Sequence, residues 1–266
     1  MEKKEYYDIG LNLFCSQFKH PDKVLQRAAE AGVTCILTGS DPKENQTIDT
    51  YLKDHPEVTV YGTAGQHPHN ADHFSEEVLE EVRRIYTVNP RVVAVGECGL
   101  DYNRMFSTKE NQLRTLERYV ALAEELQAPM FLHERDATED FAAVFSAVPE
   151  VVKRSVVHCF TGDRATAEKY LDMGFSIGVT GWICDDRRAE ELRDAVRVIP
   201  KDRILIETDA PYLTPRNVKD LGRTNVPENI VYVARTLADY MQLPEEELIR
   251  CTVENTKRVF GIGQDR

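Results

Sequence analysis

Short runs of aliphatic and β-branched residues alternate along this chain with longer stretches whose apolar positions recur every three or four residues. The first pattern reads as buried parallel strands, the second as amphipathic helices laid over them. The strand candidates are Tyr6–Asn12, Val33–Thr38, Val58–Ala64, Val92–Glu97, Met130–His133, Ser155–His158, Phe175–Thr180 and Ile204–Thr208. Between them helices are expected near Pro21–Ala31, Pro42–Asp54, Ser75–Thr87, Thr108–Leu126, Ala137–Ala147, Arg164–Met173 and Arg187–Val198. Two more, Pro227–Met241 and Pro244–Phe260, close the chain. The first helix opens on Pro21 and stops before Gly32, an arrangement helices favour at their two ends. Eight successive strand-then-helix units predict an α/β fold, a closed (β/α)8 TIM barrel rather than an open sheet. No repeat or linker breaks the rhythm, so residues 1–266 are read as a single domain.

Charge narrows the range of functions. The formal net charge of -12 argues against a protein that coats nucleic acid through a broad basic face, because such binding is driven by counterion release at Lys and Arg clusters. It leaves room for an enzyme that holds one strand end with a metal and a few arginines. The opening residues MEKKEYYDIGLN carry no apolar signal core, and no run of about eighteen apolar residues occurs. Six cysteines, none in a C-x-x-C pair, read as reduced thiols. A cytoplasmic protein without a membrane span is expected, and, with no heptad pattern, a monomer.

Ionisable residues collect where strand candidates end. Asp8 and the polar Asn12 stand at the first, His67 and His69 beyond the third, Glu97 and Asp101 at the fourth, His133 to Asp136 at the fifth, His158 at the sixth, and Asp209 after the eighth. A lone histidine there is more often a packing residue than a ligand, and a lone carboxylate is commonly a helix cap. The joint occurrence of Glu97, His133, His158 and Asp209 at four strand ends points instead to a metal centre, since a barrel gathers those ends on one face. Two imidazoles and two carboxylates suit Zn, Mn or a Mg-like ion without choosing among them. His67, Arg135, Arg104 and Arg216 also fall on that face, where they could meet a phosphate or only a neighbouring side chain. Cys98 and Cys159 flank two of the ligands with no base beside them and read as small buried thiols.

At these positions the chain closely resembles the TatD family of metal-dependent nucleases. The matching segments are DIGLN, AGQHPHN, VVAVGECGLDYNR, MFLHERDA, VVHCFTG, IGVTGWICD and LIETDAPYLTPR, with Arg223, Asn225 and Pro227 in GRTNVPENI resembling a further signature. The resemblance implies metal binding by Glu97, His133, His158 and Asp209, with His67 beside them. It implies hydrolysis of phosphodiester bonds from the 3′ end of single-stranded DNA, with RNA a further candidate substrate. Magnesium is the usual activating ion in such proteins, zinc and manganese are also seen, and some members are linked to DNA repair. Two departures stand out. Many relatives carry His-x-His where this chain has Gly10 and Asn12, which predicts a weakened second metal position, and Glu134 replaces a common Cys or Ser.

The expected mechanism has a metal-activated water attack the phosphate. Asp209 accepts its proton, Glu97 serves at the metal, and His67, Arg135 and Arg216 neutralise phosphate charge. The alternative is a small-molecule amidohydrolase or lactonase, but that class favours His-x-His and often a carbamylated Lys, and no Lys ends a strand candidate. An inert scaffold would be expected to have lost ligands that are present here.

Overall fold

The fold is that of a computed structural model describing residues 4–264. Its strands are β1 (Tyr6–Leu11), β2 (Val33–Leu37), β3 (Tyr61–Ala64), β4 (Val92–Asp101), β5 (Met130–Arg135), β6 (Val156–Val157), β7 (Ser176–Val179) and β8 (Ile204–Ile206). They follow one another in the sheet in chain order, and Leu11 at the end of β1 forms a parallel bridge with Ala210 beyond β8. That order is the (β/α)8 barrel anticipated from the alternation. The helices are α1 (Pro21–Ala31), α2 (Pro42–Asp54), α3 (Glu76–Val88), α4 (Lys109–Leu126), α5 (Thr138–Phe145), α6 (Pro149–Val152), α7 (Arg164–Met173), α8 (Glu190–Ala195), α9 (Ile230–Met241) and α10 (Glu245–Phe260).

By contacts the elements fall into two compact sets. The first holds β1, β2, β7 and β8 with α1, α8, α9 and most of α10. Every residue of β1 is buried, Asp8 included, as expected of a parallel strand covered on both faces. Helix α1 ends on Gly32 at φ 83°, whose N–H reaches back to the carbonyls of Ala28 and Ala29.

The second set holds β3 to β6 with α2 to α6. Its helices start on side-chain caps that satisfy open backbone donors: Asp41 accepts from Glu44 N, Ser75 from Val78 N and Thr108 from Asn111 N. Leu79, Val82 and Ile85, three positions apart, form the buried stripe of α3. On α4, Tyr119 is fully buried, and its hydroxyl has no hydrogen-bond partner among the described residues. A buried unpaired hydroxyl is a net cost. Tyr119→Phe is therefore expected to raise stability by roughly 1 kcal/mol, read as a higher urea midpoint at unchanged slope. A lower midpoint would mean that the hydroxyl does find a partner.

Several boundaries differ from the sequence reading for identifiable reasons. Strand β3 starts at Tyr61 because Val58 is drawn into a turn, its N–H donating to His55 O. The helix anticipated over Ala137–Ala147 stops at Phe145, and α6 restarts at Pro149; Val148, just before that proline, takes φ -127°, outside the helical region. The helix expected from Arg187 begins only at Glu190, because the Asp185 carboxylate holds both the backbone N–H and the side chain of Arg187.

Candidate metal centre

Strand β4 continues four residues past its expected end at Glu97 because Cys98, Gly99, Leu100 and Asp101 pair with Leu132 to Arg135 of β5. The register shifts between Val95 and Cys98, a bulge that re-aims the side chain lying within it. That side chain is Glu97. Its backbone N–H donates to Gly39 O, and its side chain is 8% exposed.

Three imidazoles converge on a single oxygen of this carboxylate. His158 Nε2 lies 2.8 Å, His133 Nδ1 3.1 Å and His67 Nε2 3.2 Å from Glu97 Oε1. Donor atoms of His67, Glu97 and His133 all lie within 4.8 Å of one another. His133 Nε2 is buried without a hydrogen bond among the described residues, the Asp101 Oδ2 oxygen being 3.5 Å away. Several neutral imidazoles cannot all satisfy one carboxylate oxygen, whereas the same atoms turned toward a cation form a mixed N/O donor set for a divalent metal.

The electrostatics fit a cation as well. Burial pushes the Glu97 carboxyl up, but His67, His158 and His133 outweigh it and hold Glu97 well below the usual carboxylate range. Burial lowers the His67 imidazole to about 4 despite the attraction of Glu97, so near neutral pH its ring is uncharged and able to ligate. His133 is lowered by burial and raised by Asp101 and Glu97, with a net upward shift. Asp101 itself is held below its ordinary value, since the nearby His133 and His69 imidazoles overcome the effect of burial. It stands 2.7 Å from His69 Nε2 and accepts at Oδ1 from the N–H groups of Asn103 and Arg104. Such a carboxylate behind the ligands fixes ring orientation.

Of the expected ligands, Glu97, His133 and His158 thus share one cluster, and His67, expected beside the metal as a substrate contact, reaches the same carboxylate. Asp209 lies in the first set of elements, at φ 52° just past β8. Asn12, read from the sequence as a weak metal ligand, turns its amide nitrogen to Asp209 Oδ1 at 2.9 Å and to Ala210 O at 3.3 Å. A carboxylate can only accept, so Asn12 acts here as a donor that orients Asp209.

Behind that pair, fully buried Asp8 accepts from Thr208 N at 2.8 Å and from Thr208 Oγ1 at 2.5 Å. Burial, only partly offset by Thr208, pushes its carboxyl up to about 7 from 3.8. The folded protein therefore holds this proton more tightly than the unfolded chain, and its contribution to stability is complete below about pH 4 and lost as pH rises toward 7, an upper bound of roughly 4 kcal/mol. Asp8→Asn is expected to flatten stability over that window, costing less at pH 8 than at pH 5. Equal losses in chemical denaturation at both pH values would overturn the assignment.

The remaining candidates separate by neighbourhood. Arg135 ends β5, where its carbonyl accepts from Tyr102 N. Arg216 lies 3.5 Å from buried Asp185, which Arg187 and Arg188 also approach, at 2.7 and 3.0 Å. Asp185, Arg188, Arg216 and Arg223 line a cavity of about 520 Å³ together with Leu213 and Thr214. Asn225 is fully buried and donates to Thr208 O at 3.0 Å while accepting from Asn229, so this member of the GRTNVPENI signature secures the chain beyond β8. Cys98 is a fully buried thiol pushed up by that burial, and Cys159 is half-buried with φ 47°, its N–H donating to Glu207 at 2.5 Å. Glu207, at the end of the eighth strand candidate and given no role by the sequence, is fully buried.

Known proteins resemble this chain in sequence and in fold. The family model described as TatD related DNase matches residues 7–261. A 3′-5′ ssDNA/RNA exonuclease TatD of Rahnella sp. is 41% identical over 264 residues, covering 98% of this chain and all of the relative. Its counterpart in Erwinia amylovora is 43% identical over 260 residues, covering 96% of this chain and all of the relative. Among solved structures, a TatD family hydrolase from Entamoeba histolytica superposes with TM-score 0.86 at 26% identity, and a TatD homologue from Escherichia coli with TM-score 0.86 at 28%. Each comparison covers 97% of this chain and 98% of the other.

Proposed function

This chain belongs to the TatD family of DNases, and we propose on that premise that it is a metal-dependent 3′-to-5′ exonuclease acting on single-stranded DNA and RNA. The observation carrying the reading is the convergence of His67, His133 and His158 on one oxygen of Glu97 in a chain so similar to curated exonucleases. Those relatives do not favour the amidohydrolase alternative.

A divalent cation there would polarise a phosphoryl oxygen and acidify a water molecule. Glu97, His133, His158 and Asp209 are the ligands we assign to it, and the 3.2 Å approach of His67 to Glu97 favours a ligand role for His67 over a substrate contact. An imidazole-rich set suits Zn better than Mg. We therefore assign a tightly held ion to this cluster and magnesium to a weaker second position, since Gly10 offers no side chain and Asn12 turns a donor to Asp209. Asp209, oriented by Asn12, takes the proton of the attacking water. Arg135 and Arg216 meet phosphate oxygens; the three arginines lining the cavity outnumber its one aspartate. No described helix is long and apolar enough to cross a membrane. A cytoplasmic monomer that trims strand ends, as in DNA repair, fits this chemistry.

The test is digestion of 5′-labelled linear and internally labelled circular single strands, DNA and RNA, with added Mg or Mn. Stepwise shortening from the 3′ end is expected, with circular strands resistant. Circular DNA cut as fast as linear DNA would refute the exonuclease reading.

A further inference from the structure

From the loop after β4 we infer that Phe106 is a stacking platform for a nucleobase flanking the scissile phosphate. This rests on the exonuclease reading above and adds a substrate-positioning residue to it. Phe106 is 64% exposed, and Met105 before it sits at φ 49°, a left-handed conformation that β-carbon-bearing residues adopt at some cost. The ring is nonetheless not at a loose tip. Ser107, next in the chain, is buried; its hydroxyl donates to His69 O at 2.9 Å and accepts from Asp72 N, and its carbonyl accepts from fully buried Gln112 at 2.9 Å. Gln112 also ties both backbone groups of Asp101, at 2.7 and 3.1 Å. A rigid frame thus presents a large apolar ring to solvent, and an ordered ring loses little freedom when it binds.

Its position suits a base. The Phe106 ring lies 4.7 Å from His69 in an edge contact, and the His69 ring lies 4.1 Å from that of His67, itself in the metal cluster. A face left open two ring contacts from the cluster lies where a nucleotide whose phosphate is at the cluster could lay its base. A phenyl ring has no hydrogen-bonding edge and so accepts any base, in DNA or RNA. The net charge of -12 adds a reason for such a device: a chain lacking a broad basic face must draw part of its hold on a single strand from contacts other than charge.

The test compares wild-type protein, Phe106→Ala and Phe106→Trp on 5′-labelled DNA carrying either normal 3′ nucleotides or one abasic residue at either nucleotide flanking the first scissile phosphate. Removing one of those bases should raise the wild-type KM by roughly ten- to a hundredfold, the range of a single base stack. Phe106→Ala should raise KM on the normal strand by a similar factor with kcat within about threefold, add nothing on the abasic strand, and show the same defect at low and high salt. Phe106→Trp should restore the wild-type KM. A Phe106→Ala variant with wild-type KM, or one equally impaired on normal and abasic strands, overturns the platform while leaving the nuclease intact. Wild-type protein that degrades neither strand overturns the exonuclease reading itself, and the platform with it.

Discussion

Glu97→Gln is expected to abolish tight metal binding and slow hydrolysis by roughly a thousandfold, the scale of several kcal/mol of lost electrostatic stabilisation. The change keeps the shape of the side chain and removes its charge. In the native protein that charge is the centre of the cluster: His67, His133 and His158 all address Glu97 Oε1, and the three rings together hold the carboxyl ionised against the effect of burial. A glutamine offers the rings one neutral oxygen, and its amide hydrogens point donors at nitrogens that must themselves donate electron pairs to a cation. Calorimetric titration with Mn separates this effect from misfolding, because circular dichroism of the variant should match that of the native protein. Native-like affinity for Mn in Glu97→Gln would remove the carboxylate from the centre.

Gly99→Ala is expected to damage both fold and site. Gly99 has φ 154°, and a β-carbon placed on it would stand 1.8 Å from the carbonyl oxygen of His133. The two residues are register partners across β4 and β5, so neither backbone can yield without moving the other. We expect a loss of about 3 kcal/mol from overpacking and metal affinity lowered by roughly ten- to a hundredfold as the His133 ring shifts. Gly222→Ala is the control: the nearest atom to its added carbon is 4.0 Å away in an exposed loop, and neither quantity should change. A Gly99→Ala protein with native stability and metal affinity would show that β5 is free to retreat.

The element pattern was legible because it is local. Buried stripes such as Leu79, Val82 and Ile85 and the all-buried run of β1 write their period into adjacent positions, and caps such as Ser75 act over three residues. Boundaries were less legible where a contact from elsewhere in the chain decided them. The extension of β4 to Asp101 depends on pairing with β5; the start of α8, by contrast, is set by a local contact, the grip of Asp185 on Arg187 two residues on.

The sequence by itself determined the alternation that makes a barrel, the strand ends where ionisable residues collect, and the identities of Glu97, His133 and His158 as a joint set. Only the tertiary structure decided what each of them meets. Glu97 lies 36 positions from His133 and 61 from His158, and Asn12 lies 197 from Asp209; no periodicity reaches that far. It is strand register, with the bulge after Val95, that turns Glu97 toward three imidazoles, including His67 from the loop after β3. A separate pairing, of Leu11 at the end of β1 with Ala210, brings the amide of Asn12 to Asp209 as a donor. Side-chain chemistry is a property of the residue, whereas the partner that selects among its chemistries is set by packing between distant segments.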